Sequence, residues 1–413
     1  MNSRSALFCL LLTAAPIAMG ADPTWVGSWG ASPLPPSPAA GPFPATASFN
    51  NQTIRQIVRL SAGGDQVRLR LTNEYGARPL AIGAARIGIA AADGSVKSGT
   101  ERAVTFAGKS AATISAGAPL LSDPIDLSVD ALSSLSIGLY LPEETGPCTC
   151  HATGMQEGYV SAPGDFTAGV FTPAETMQAR AFLSGVEVRA TRAASAIVVL
   201  GDSISDGVGS TPGANRRWPD LLAERLAARG GRHGWGVVNM GISGNRVLGD
   251  GAGQSALARF DRDVLPVPGA SHVIVFEGIN DLGFAFGRFE GPLAALRELM
   301  PPGGQVTAES MIAGLRQMIS RAHAKGLKIY GATIAPYEGA AYYSSEGEAV
   351  RQSINAWIRS SGEFDAVLDF DAELRDPKQP SRMAESMHSG DFLHGSDAGY
   401  RAVADSIDLA LFE

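Results

Sequence analysis

Three short stretches of this chain hold side chains that could do chemistry together. Ser203 lies in "VVLGDSISDGVGS" (198–210), where an apolar β-branched run breaks into small polar residues. A serine hydroxyl is a poor nucleophile at neutral pH and needs a base within hydrogen-bond reach, most often an imidazole. His394 in "DFLHGSDAGY" supplies one, and Asp391, three residues earlier, is placed to fix its tautomer and offset the charge it gains. Attack on a carbonyl also builds an oxyanion, which needs donors already in position. The backbone N–H groups of Ser203 and of Gly244 in "NMGISGNR", with the side-chain amide of Asn280 in "EGIND", make up such a set.

These residues need a frame that brings distant positions together. From about residue 191 short apolar runs alternate with helical patterns. Ala196–Leu200, Val237–Met240, Val273–Phe276, Lys328–Thr333 and Ala366–Phe370 read as buried strands. Ile312, Leu315, Ile319 and Ala322 share one face of a helix ending near Gly326, and Tyr400, Val403, Ile407 and Leu411 share a face of the last one. Strands alternating with helices imply parallel β-α-β units with right-handed crossovers, hence an α/β sandwich of about five parallel strands over 191–413. In such sheets ligands bind beyond the carboxyl ends of the strands. Ser203, Gly244 and Asn280 each follow one of the first three strands.

Ahead of this region the period is two. In "VRLRLT", Val67, Leu69 and Leu71 alternate with polar residues; in "LSIGLYL", Leu135, Ile137, Leu139 and Leu141 do. Residues 53–190 therefore read as an antiparallel β-sandwich or jelly roll. A Pro-rich arm over 21–52 leads into it. Residues 1–20, with Arg4, an apolar stretch and "AMG" before Ala21, resemble a cleavable signal peptide, which implies a secreted or periplasmic protein. Cys9 sits early in that stretch and is a poor lipidation site. No later run is long enough to span a bilayer.

The 413 residues carry a formal charge of −8 and no Lys/Arg cluster, which argues against a nucleic-acid partner. Oligomeric state is not legible. Cys148 and Cys150 in "GPCTCH" could pair, although a bridge over one intervening residue is strained by ordinary disulfide geometry. With His151 they also suggest a metal site, but no second cluster completes four ligands. Asp202 and Asp206 flank the serine without a metal-spaced partner set, so Asp202 reads as a turn-stabilising acceptor and neither metal nor other cofactor is expected. His388 is the rival to His394 but lacks an Asp at the same spacing. His151, His233, His272 and His323 read as structural; Arg246 and Arg259, near or after the second block, could line the site but read first as solvated ion-pair residues; and Asn280 could equally bond loop backbone.

"GDSIS" (201–205), "GISGN" (241–245), "GIND" (278–281) and "DFLH" (391–394), in this order, resemble the four blocks of the GDSL, or SGNH, hydrolases. The resemblance covers about 191–413. It implies a flavodoxin-like α/β/α domain and metal-independent ester hydrolysis. Ser203 would be nucleophile and oxyanion donor, Gly244 and Asn280 the other donors, and His394 and Asp391 base and orienter. The expected substrate is a small-molecule or polysaccharide ester with a short acyl or acetyl group. The alternatives are acyl transfer, lipolysis of longer chains, or a glycan-binding module whose hydrolase domain is idle.

Overall fold

The computed structural model describes residues 24–39, 45–289 and 305–413. The leader read over 1–20 and part of the Pro-rich arm lie outside the described residues.

The C-terminal region is built on a five-stranded sheet: β1 (Ala194–Gly201), β2 (Gly234–Gly241), β3 (Ala270–Phe276), β4 (Lys328–Ala332) and β5 (Ala366–Leu368). Every pairing is parallel, and the spatial order is β2-β1-β3-β4-β5. Covered on both faces, β1 reads as a continuous apolar run, with Ile197, Val198, Val199 and Leu200 all fully buried. Such burial contributes about 1.5–3 kcal/mol per large aliphatic side chain, which anchors the strand end that carries Ser203. The helices are α1 (Ser203–Asp206), α2 (Trp218–Arg229), α3 (Ala256–Asp263), α4 (Ile279–Phe286), α5 (Ala308–His323), α6 (Ser345–Ser360), α7 (Phe370–Leu374) and α8 (Asp397–Ser406). The expected last helix breaks earlier than its pattern suggests. Ile407 turns extended and a 3₁₀ segment, Leu409–Phe412, completes the apolar face. Among the described residues no helix is long and apolar enough to cross a membrane.

The N-terminal region holds antiparallel sheets. The four-stranded one runs Trp25–Gly30, Leu183–Arg189, Gln66–Thr72, Pro119–Leu121. The six-stranded one runs Pro173–Met177, Gly158–Pro163, Gln52–Arg59, Ser134–Leu141, Ala84–Ile89, Arg102–Ala103. Their alternating inward residues form one apolar core: Val67, Leu69 and Leu71 meet Leu135, Ile137, Leu139 and Leu141.

Within the segment read as an arm, Trp25–Gly30 is a strand that joins the two regions. Val26 packs into the α/β core while Trp29 packs into the β core. The contact is backbone-close: a Cβ on Gly236 would lie 2.0 Å from the Gly27 carbonyl oxygen. Ser61 Oγ accepts from Val237 N–H (2.8 Å), and Arg59 pairs with Glu224 (3.0 Å). Single-sequence periodicity shows strands but not such contacts between regions.

Candidate active site

The strand order reverses at β1, so the crevice lies beyond the ends of β1 and β3. Ser203 begins the turn after β1, and Asn280 lies in the first turn of the helix after β3. The chain turns sharply after β1: a Cβ on Gly201 would come within 2.2 Å of Ser205 Oγ. Asp202 caps α1, its Oδ1 accepting from Ile204 N–H (2.9 Å), which is the turn-stabilising role expected of it.

Ser203 Oγ lies 2.8 Å from His394 Nε2, and His394 Nδ1 lies 2.6 Å from Asp391 Oδ2. Nδ1–H donates to the carboxylate, which leaves Nε2 as the acceptor for the serine hydroxyl. The other oxygen, Oδ1, accepts from Leu393 N–H (3.0 Å) and His394 N–H (2.9 Å), so one loop turn holds both partners. Burial pushes the Asp391 carboxyl up, but its bonds to His394 and the loop N–H groups outweigh this and hold it well below the usual carboxylate range. It is therefore ionised at neutral pH. His388 is not part of this relay; its Nδ1 accepts from Gly390 N–H (3.0 Å).

Gly244 stands third in the turn Ile242–Asn245, closed by Asn245 N–H to the Ile242 carbonyl (3.0 Å). Its φ of 81° is one that glycine adopts at no steric cost. Among the described residues no acceptor takes the N–H of Ser203 or of Gly244. Asn280 Nδ2 donates to the Asn245 carbonyl (3.0 Å), joining the third block to the second. The loop-bonding role expected as an alternative is therefore present, and the second N–H of the same amide is left over. Tyr342 O–H donates to Asn280 Oδ1 (3.3 Å) and so sets which way the amide faces.

Beneath these groups lies a buried polar layer. Asp281 accepts from Val247 N–H (2.7 Å) and Leu248 N–H (3.0 Å), holding the chain beyond the second block. Burial raises its carboxyl to about 6 and that of Asp202 to about 7. Glu277 is pushed well above the ordinary range by burial and by Asp202 beside it.

Arg259 corrects the sequence reading: it is fully buried, not solvated. Its Nε donates to Asn245 Oδ1 (2.9 Å), one terminal nitrogen to the Met240 carbonyl (2.6 Å) and Asp263 (3.1 Å), and the other to the Gly201 carbonyl (3.0 Å) and Glu277 (3.2 Å). A single guanidinium thus ties the ends of β1 and β2 to the residue just beyond β3. Arg246 is likewise shielded; one of its terminal nitrogens donates to the Asp250 carbonyl, and its guanidinium lies 5.8 Å from the Phe284 ring centre. The place of Arg259 after the second block put it within reach of the site, but nothing in the local pattern distinguished Tyr342 or Asp206 as site-supporting residues. The clue available was only their polarity within apolar surroundings.

Residues 199–402 match the model of the GDSL-like lipase/acylhydrolase family. Residues 199–402 form a domain of that family. Its members are hydrolases, and the α/β region of this GDSL-like protein has their fold. Solved structures similar to it include a GDSL-like lipase from Bacteroides thetaiotaomicron VPI-5482, with 16% identity, a TM-score of 0.38, and coverage of 53% of this chain and 88% of that one. A second is an α/β-hydrolase enzyme from the metagenome of Lake Arreo, with 23% identity, a TM-score of 0.37, and coverage of 53% and 95%. A third is the lipase/acylhydrolase from Enterococcus faecalis, with 19% identity, a TM-score of 0.35, and coverage of 51% and 92%. No curated protein matches the sequence. The β region of this GDSL-like chain lies outside the family match.

Proposed function

We propose that the protein is an exported serine esterase that cleaves carboxylic esters through an acyl-enzyme. The observation that carries this reading is the unbroken relay from Ser203 Oγ through His394 to the Asp391 carboxylate. Ser203 Oγ attacks the ester carbonyl while Nε2 of His394 takes its proton. The oxyanion is held by the N–H groups of Ser203 and Gly244 and the spare N–H of Asn280, each donor worth a few kcal/mol of barrier, or about a hundredfold in rate. His394 then protonates the departing alcohol. Water, deprotonated by the same nitrogen, releases the carboxylic acid and restores the serine.

The preferred substrates are short acyl or acetyl esters, small or carried on a polysaccharide. Export from the cytoplasm rests on the leader-like residues 1–20. Ser203→Ala is expected to abolish turnover of an activated acetyl ester while the protein still folds; retained turnover overturns the reading. A rate series over acyl-chain length tests the preference, which fails if long chains react faster than acetyl.

A further inference from the structure

His151 belongs to the N-terminal region yet reaches the turn that carries Ser203. It lies in a short strand, Cys150–His151, that pairs with Arg180–Ala181. Just ahead of His151, Cys148 is joined to Cys150 by a disulfide. The ring is almost wholly shielded from water. Its Nε2 lies 2.9 Å from Asp206 Oδ1 and 3.2 Å from the Thr153 carbonyl, and its Nδ1 lies 3.0 Å from the Ser32 carbonyl. The two carbonyls can only accept, and so does Asp206 as a carboxylate. A neutral imidazole donates from one nitrogen alone, so these contacts are satisfied together only when both nitrogens carry protons.

Asp206 is the last residue of α1, three beyond Ser203. While Oδ1 meets His151, Oδ2 accepts from Ser243 N–H (3.0 Å) and Ser243 Oγ–H (2.7 Å). Ser243 immediately precedes Gly244. Buried contacts therefore run from the β region through one carboxylate to the turn bearing an oxyanion donor. A buried, uncompensated carboxylate would be costly at this position, and the imidazolium removes that cost.

We propose that His151 is a positioning residue for the esterase site: held as an imidazolium, it fixes Asp206 and, through it, the Ser243–Gly244 turn. The N-terminal β region then completes the floor of the site and is not a detachable binding module. The inference rests on the esterase reading for what the turn does. The titratable and charged groups facing His151 and Asp206 are Arg180 on the paired strand, Arg217 ahead of α2, Asp202 at the start of the Ser203 turn and Tyr400 on α8. Burial and Arg180 act against the charge on His151, but Asp206 and the Ser32 carbonyl outweigh them and its pKa is raised. The imidazolium is present below that raised value and lost as pH climbs through it, so the positioning weakens toward alkaline pH.

The test begins with the wild-type chain, whose His151 is expected to show two protonated ring nitrogens at pH 7 in a long-range ¹⁵N–¹H spectrum. H151Q, which cannot donate in both directions while staying charged, is expected to lower kcat about tenfold or more on an acetyl ester, leave KM within about threefold, and remove an alkaline limb from the kcat profile. A singly protonated His151 in the wild type, or H151Q with unchanged kcat, overturns the proposal. Should H151Q fail to fold, the wild-type spectrum alone decides. If instead the wild type shows no esterase turnover that S203A removes, the esterase reading fails while the spectrum still tests the link to Asp206.

Discussion

Replacing Arg259 by Met keeps the length and apolar stem of the side chain and deletes its donors, so the cost comes from the acceptors left behind. Asn245 Oδ1 loses the hydrogen bond that Arg259 Nε supplied. The Gly201 carbonyl keeps one donor, Ile242 N–H at 2.9 Å, and Asp263 keeps Arg262 and Ser32, so neither is orphaned. Burial and Asp202 push the Glu277 carboxyl upward, toward the neutral form that needs its lost partner less. One fully stranded acceptor and several weakened ones, at about 1–3 kcal/mol for the first and less for the others, give about 3 kcal/mol. That is the low end of the 3–5 kcal/mol range for breaking a buried ion pair. Urea unfolding at pH 7 measures it, with R259K expected between wild type and R259M because one ammonium restores charge but cannot reach five acceptors. Activity on an acetyl ester is expected to fall more than about tenfold in R259M, since the strand ends carrying Ser203 and Gly244 lose their common tie. A loss of stability under about 1 kcal/mol would refute the view that this guanidinium is the tie.

Asp391 is about half exposed, 47% by its side chain, so water can replace part of what it does for His394. D391A is therefore expected to lower kcat by about 10²–10³-fold, less than the ~10⁴ lost when a buried triad carboxylate is neutralised, and full activity would contradict the relay. Asp202 holds its proton up to about pH 7 in the fold but gives it up near 3.8 when unfolded, so ionisation is penalised in the fold and stability falls as pH rises between those values. D202N keeps the cap oxygen and is expected to match the wild type at pH 4 and exceed it by about 1–3 kcal/mol at pH 8; equal melting at both pH values contradicts this. Y342F removes the hydroxyl that orients the Asn280 amide. It is expected to lower kcat about 2–10-fold with KM unchanged, and a purely structural role for Tyr342 would instead leave kcat intact.

Much of the site was legible because its residues sit where strand patterns end. The continuous apolar runs located all five parallel strands, and the short polar motifs after β1 and β3 marked the crevice. The pairing of His394 with Asp391 followed from spacing within one loop. The supporting layer was hidden for a physical reason: Arg259, Tyr342, Asp206 and His151 make most of their contacts across 14 to 62 residues or between regions, and nothing in periodicity reports such distances. Trp25–Gly30 was obscured by the Pro-rich stretch beside it, although its residues are as buried as any core strand. Arg259 looked solvated because arginine usually is; full burial is tolerated here only because carbonyl, amide and carboxylate acceptors surround the guanidinium.

The proposed esterase activity depends most directly on the reactivity of one hydroxyl. Incubation of the folded protein with a fluorophosphonate, followed by peptide mass analysis, is expected to place a single phosphonyl adduct on Ser203, with labelling lost in H394A. An adduct confined to another residue, or no adduct on a protein whose relay is intact, would contradict it.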